Sequence, residues 1–275
     1  MKKMPVRLAA IAAIAFAGAI CLSPSPARAG EGHNLPFAIV AGDGGVALRQ
    51  LGWKDDIFGT LRSYHVVAPV FGGELTAYPA AIATDGPLAW LGVHVRFESM
   101  VGLRSQRSEH DEVLPTRSGM SAVAIRLRAP IRSGAIRLEV GMARRTFTIG
   151  GAGITNPDFP SVDYRGPTFG LAGEIALPAH LSISPRAAAS FWTSMGDIAS
   201  DAWFSRAQGW GLDFGARFAW TAPFGLAPYL DVAWSRQVLS LRPVPGDARV
   251  AGGAADDWFS ARLGLSFNLY GRPSR

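Results

Sequence analysis

Cysteine is almost absent from this chain. Cys21 is the single one among 275 residues, and it falls in a stretch that reads as a removable leader. The expected mature chain therefore holds no thiol for a disulfide, a thiolate metal site or a cysteine nucleophile. Nor do His33 and His65 have a second ligand at metal spacing, so neither a metal nor another cofactor is expected. Beyond residue 22 no apolar run reaches the ~20 residues that a membrane helix requires. A basic surplus is missing as well: the formal charge of +6 shrinks once Lys2, Lys3, Arg7 and Arg28 are assigned to the leader. Four of the 27 basic residues leave with it and no acid does, so 23 face 21 acidic residues. A nucleic-acid partner is not expected on that balance.

What is present begins with export. Lys2, Lys3 and Arg7 precede an apolar run from Leu8 to Leu22, then Ser23-Pro24-Ser25-Pro26 and Ala27-Arg28-Ala29. A basic start, a short apolar centre and an A-x-A site define a secretory signal peptide over 1–29, cleaved between Ala29 and Gly30. The remainder, 30–275, suits one large all-β domain.

Its dominant signal is period-2 alternation, which sends successive side chains to opposite faces of a sheet. From Ala89 to Leu103 one face reads Leu91, Val93, Val95, Phe97 and Val101, the other Gly92, His94, Arg96 and Glu98. Apolar Val123, Ile125 and Leu127 likewise oppose Arg126 and Arg128, and Ile136, Leu138 and Val140 oppose Arg137, Glu139 and Gly141. Further along, Phe169 and Leu171 oppose Gly170 and Glu174, and Leu181, Ile183 and Phe191 oppose Ser184 and Arg186. Trp210 to Trp220 opposes Asp213 and Arg217, Leu230 and Val232 oppose Asp231, and Phe259 to Leu269 opposes Arg262 and Gly264. Two less regular segments precede these eight, around Val46 to Trp53 and Val66 to Tyr78.

A soluble sandwich also alternates, but three features favour lipid on the apolar face. Trp210 and Trp220 bracket one apolar face ten residues apart; at ~3.4 Å per residue and ~40° tilt this is roughly 26 Å, near the height of the apolar band between aromatic girdles. The strands are long for soluble sheets. Connections also alternate in length. Short turns fall at Ala81 to Pro87, Pro130 to Gly134, Pro178 to His180 and Pro223 to Leu226. Long loops fall at Lys54 to Ser63, Arg104 to Arg117, Thr148 to Asp163, Met195 to Gln208 and Leu239 to Asp256. The expected fold is an all-β, antiparallel up-and-down transmembrane barrel of about ten strands, with eight or twelve as alternatives. It is expected in the outer membrane with both termini periplasmic, among outer-membrane lipid and lipopolysaccharide.

The segment Arg262-Leu263-Gly264-Leu265-Ser266-Phe267-Asn268-Leu269 resembles the C-terminal assembly signal of outer-membrane barrels. That resemblance implies that Arg262, Gly264, Phe267 and Leu269 engage the barrel-assembly machinery, although Tyr270 to Arg275 follow where such signals end in an aromatic. In segments such as Asp56 to Arg62 and Ser200 to Phe204, the chain resembles an uncharacterised family of Gram-negative outer-membrane β-barrels, of the size of the small OmpA/OmpX-like barrels or the omptins.

The inward face gathers His94, Arg96, Glu98, Arg126, Arg128, Arg137, Glu139, Glu174, Arg186, Asp213, Arg217, Asp231 and Arg262. Seven arginines against five carboxylates fit either a salt-bridged plug or a narrow anion-preferring channel. Inward glycines at 92, 141, 170, 211, 215 and 264 are expected to make room for arginines. An outer-rim hydrolase is the third reading. Omptin proteases use paired acids and an Asp-His pair, which Asp55-Asp56 and His110-Asp111 resemble, and His180-Leu181-Ser182 matches the H-x-S of lipid A deacylases at the wrong end of the barrel. No catalytic residue is assigned, and an enzyme is not expected. Asn156 to Pro160 and Trp203-Phe204 either contact a surface partner or pack the loops onto the rim, and Arg144 and Arg236 either meet lipid phosphates or simply sit at the interface.

Overall fold

A computed structural model describes residues 36–84, 86–106, 113–131, 133–150, 159–222 and 225–270. The expected leader, with its cleavage point at Ala29 and Gly30, lies outside these residues, as do His33, His110 and Asp111. Among the described residues there are eleven strands and three single 3-10 turns: β1 Pro36–Lys54, β2 Tyr64–Ala77, β3 Leu91–Met100, β4 Arg104–Gln106, β5 Val113–Ile131, β6 Gly134–Ile149, β7 Val162–Ala176, β8 Leu181–Trp192, β9 Gln208–Trp220, β10 Leu226–Ser240 and β11 Gly253–Tyr270.

The long strands pair antiparallel with their neighbours, β1 pairs with β11, and β3 pairs with β5, so the wall closes on itself, with the short β4 paired to β5 alone. Closure is the one arrangement that leaves no unpaired backbone row facing lipid. β3 and β4 lie in line on β5, through Met100 opposite Ser118 and Ser105 opposite Leu114. The break between them holds Gly102 at φ +69°. The barrel therefore has ten staves, as the alternation of loop lengths predicts. Pro36 pairs with Tyr270, which puts both ends of the described chain at the short-turn rim.

The face assignment holds around the wall. Val67, Phe97, Val123, Val140, Phe169, Val232 and Leu263 are exposed on the outside, and Arg262, Asp231, His94 and Arg126 are buried inside. Trp210 and Trp220 are 43% and 46% exposed at opposite ends of β9, where they flank the apolar band. A continuous outward belt of Val, Leu, Ile and Phe is incompatible with water and matches the lipid band of an outer-membrane barrel.

Strand limits differ from the sequence expectation where polar residues interrupt the apolar face. β1 runs ten residues further back, through Asp43-Gly44-Gly45, because Gly45 passes so close to Ala261 of β11 that a Cβ has no room. Most of the expected loop from Arg104 to Arg117 is strand, with Leu114 and Thr116 pointing inward between the exposed Pro115 and Arg117. Of the expected loops Thr148 to Asp163 and Leu239 to Asp256, both ends are likewise strand. The first short turn is wider than expected, with 3-10 turns at Pro79–Ile82 and Pro87–Trp90.

Candidate functional site

Two different materials fill the lumen. At its middle, side chains from β1, β2, β3, β8, β9, β10 and β11 form an ionic lattice. Arg262 is its hub, donating to Asp231 at 2.7 Å and Glu98 at 2.5 Å, with Asp43 at 3.6 Å. Asp231 also accepts from Arg186 at 2.6 and 2.8 Å and from Arg217 at 3.4 Å. Arg217 bonds Glu74 as well, Arg96 bonds Glu98, and the Tyr229 hydroxyl donates to Asp43 at 3.0 Å. Charges this deeply buried persist only when paired and hydrogen-bonded.

At the long-loop end the filling becomes apolar. Inward residues of the strand ends, including Leu51, Val70, Met100, Leu114, Phe147, Val162, Leu239 and Ala254, pack with Phe159, Ile198, Trp203 and Phe204 from the loops. Tyr64 lies 5.0 Å from Phe147 and 4.9 Å from Phe159, and Trp53 lies 5.6 Å from Phe204. Phe159, Trp203 and Phe204 thus pack the loops inward and are not displayed; Asn156, Pro157 and Asp158 are outside the described residues. Under this cap sits a fully buried pair: Arg49 donates twice to Asp256, at 2.9 Å each, and its guanidinium stacks 3.9 Å from the Phe147 ring. The Tyr164 hydroxyl donates to the same carboxylate at 3.1 Å.

All thirteen inward residues expected from the sequence lie inside the barrel. His94 bonds Thr76 at 3.0 Å, Arg126 bonds Glu139 at 2.8 Å, Arg128 reaches Glu174 at 3.3 Å, and Arg145, which the sequence reading passed over, meets Asp213 at 3.3 Å. Asp43, Arg49 and Glu74 were also missed because β1 and β2 read as irregular, and continuing their parity past the glycines identifies them; Asp256 was missed because the start of β11 reads as loop. Among the described residues the interior therefore holds nine arginines against eight carboxylates, not seven against five, and the expected cationic excess nearly vanishes. The glycine expectation also needs correction. Of these glycines only Gly215 makes room for an arginine, since a Cβ there would lie 2.8 Å from Arg186; Gly72 lies first against the Asp43 carboxylate, at 2.7 Å. Gly92 and Gly264 instead receive the rings of Tyr78 and Tyr229, and Gly211 receives Gln237.

Between lattice and cap, and down the β5 to β8 side, the lumen is open. One cavity of about 70 Å³ lies under Trp258 and Val70. A second of about 120 Å³ runs along Ala122, Ala124, Ala143, Gly170, Ala172 and Ala188, with His94, Arg96 and Arg186 facing them. At this height the β5 to β8 wall is lined largely by alanine and glycine, with Glu139, Arg145 and Arg186 among them; Arg126, Arg128, Arg137 and Glu174 of the same strands lie nearer the short-turn rim.

Of the hydrolase candidates, Asp55, Asp56 and His180 fall within the described residues. Both carboxylate oxygens of Asp56 are engaged by its own loop, accepting from Gly59 N at 3.0 Å and Leu61 N at 2.9 Å. His180 is a turn residue at φ 61°. Among the described residues no group of three or more His, Cys, Asp or Glu is placed to hold a metal. On the outside, Arg144 and Arg165 both bind Asp163, and Arg236 binds Asp257 at 2.7 Å twice. The assembly-signal residues Phe267 and Leu269 face outward on β11, whereas Arg262 is committed to the lattice.

No family model matches the chain, and no curated protein matches it. Among solved structures it is similar to a FadL homologue of Pseudomonas aeruginosa (10% identity over 87% of this chain and 94% of that one, TM-score 0.36). It is also similar to the transport unit of the autotransporter AIDA-I from Escherichia coli (12%, 95% and 98%, TM-score 0.40) and to Neisserial surface protein A (9%, 85% and 97%, TM-score 0.32). At this distance the likeness ends at the barrel, and the lumen must be read on its own residues.

Proposed function

We propose that this is a closed outer-membrane barrel that acts as a structural or surface-interaction protein, with its termini in the periplasm, and that it is neither a catalyst nor an open pore. The observation that carries this reading is the aromatic cap: Phe159, Trp203 and Phe204 fold from the long loops into the mouth and pack on inward residues of the strands. Packed aromatics in the mouth oppose the passage of water and ions, as a hydrophobic constriction does, and the ionic lattice beneath them is held by pairing. The near balance of nine arginines and eight carboxylates argues against anion selectivity, which needs a ring of one sign.

The small-residue band along β5 to β8 favours a second reading, a narrow channel that conducts when the cap moves. Planar-bilayer recording separates the two. The closed reading expects no reproducible current steps from the purified protein; regular steps would establish the channel instead.

A further inference from the structure

Past Ala124, Glu139 and Ala172, which line the lower cavity, one period-2 step along each strand leads to Arg126 on β5, Arg137 on β6 and Glu174 on β7. A second step on β5 reaches Arg128. Arg128 and Arg137 are directly opposed across the β5–β6 ladder and both point inward, a like-charge placement that destabilises a sheet unless something of opposite sign lies between. Their partners do not suffice. Arg128 reaches Glu174 only at 3.3 to 3.4 Å, and Arg137 has one acceptor, the Gly173 carbonyl at 3.3 Å, with no carboxylate in ion-pair range among the described residues. Three arginines face two carboxylates, Glu139 and Glu174.

The unsatisfied atoms here are almost all donors. Arg126 Nε, Arg128 Nε and Nη1, Arg137 Nε and the Tyr78 hydroxyl are buried without a partner among the described residues. Tyr78 is 1% exposed, and its ring lies on Gly92, which is paired with Arg126. Burying that many donors without acceptors is expensive. An anion with several acceptor oxygens satisfies them together, because guanidinium forks match oxyanion geometry.

We infer that the short-turn end of the lumen is a binding site for a small soluble oxyanion, a phosphate, sulfate or carboxylate, held by Arg128 and Arg137 with Arg126 and Tyr78 behind them. Glu174, with its side chain a third exposed, stands at the entrance from the short-turn rim. The inference does not depend on whether the barrel conducts, and its test involves no current.

The folded barrel in detergent micelles is unfolded in the presence of sodium phosphate or sodium sulfate and, at equal ionic strength, sodium chloride. A saturable upward shift of the unfolding midpoint with phosphate or sulfate, absent with chloride, is expected. Arg137→Gln should abolish the saturable part, and Arg128→Lys, which keeps the charge but not the fork, should weaken binding at least tenfold. Arg165→Gln on the outer surface should leave it intact. Folding of each variant is read from heat-modifiable gel migration, and if Arg137→Gln fails to fold, Arg128→Lys carries the test. An equal response to all three salts, or a full response retained in both lumen variants, overturns the site.

Discussion

At the scale of single residues, the account depends on buried charge being matched atom by atom. Arg49 and Asp256 are both fully inaccessible and bond through two parallel contacts, so removing one partner strands the other. Asp256→Ala is expected to cost about 3 to 5 kcal/mol in urea unfolding of the membrane-inserted protein. Tyr164→Phe removes a single hydrogen bond to that carboxylate and should cost less, about 1.5 to 3 kcal/mol. Equal effects would mean that the pair is not the principal support of the cap. This layer was hidden from sequence reading for a definite reason. Arg49 and Asp256 lie at strand ends, beyond Gly44-Gly45 and inside an apparent loop, where alternation is hard to see. The thirteen lumen residues were legible because they alternate along their strands with largely apolar neighbours of opposite parity.

At the scale of elements, two connections make separate predictions. The β7–β8 turn places both Ala179 and His180 in the left-handed region, at φ 60° and 61°. That conformation suits the tight hairpin but costs a non-glycine residue roughly 1 to 2 kcal/mol. His180→Gly is therefore expected to stabilise the barrel by about 1 kcal/mol in urea unfolding; a destabilisation would show that the imidazole does more than turn the chain. The second connection is a brace between two long loops, where Arg206 bonds Asp247 and the Val244 backbone N–H donates to the same carboxylate at 2.7 Å.

The hydrogen bond from Arg206, followed by that from Val244, holds the Asp247 carboxyl below its ordinary value of 3.8. A depressed carboxylate stabilises above its unfolded value and loses that contribution as pH falls through the folded one. Hydrogen exchange in residues 241–252 should accordingly stay flat from pH 7 to about 4, after correction for intrinsic rates, and rise below that. A rise already at pH 6 would assign the brace to some other group. The alternation of short and long connections made these loops visible in the sequence, but their inward fold was not, because an aromatic in a loop has the same sequence signature whether it faces solvent or core.

At the scale of the whole molecule, the ten-stave membrane barrel was the most legible property. Period-2 alternation, the Trp210 and Trp220 bracket and the loop order are all set by a bilayer of fixed thickness acting on a closed sheet. The band of small residues on the β5 to β8 wall was present as well. Ala122, Ala124, Ala143, Gly170, Ala172 and Ala188 share the inward parity of the arginines, yet a reading attentive to charge passes over small residues. What sequence does not encode locally is the register between distant strands, which brings Arg262, Asp231 and Glu98 to one point and leaves Arg128 facing Arg137.

Single-channel recording of the wild-type protein beside a Trp203→Ala/Phe204→Ala double variant shows most directly whether the in-folded loop aromatics seal the mouth. A silent wild type is expected, with small, reproducible steps once the cap is thinned above the small-residue band. Steady conductance from the wild type, unchanged in the variant, would contradict the seal.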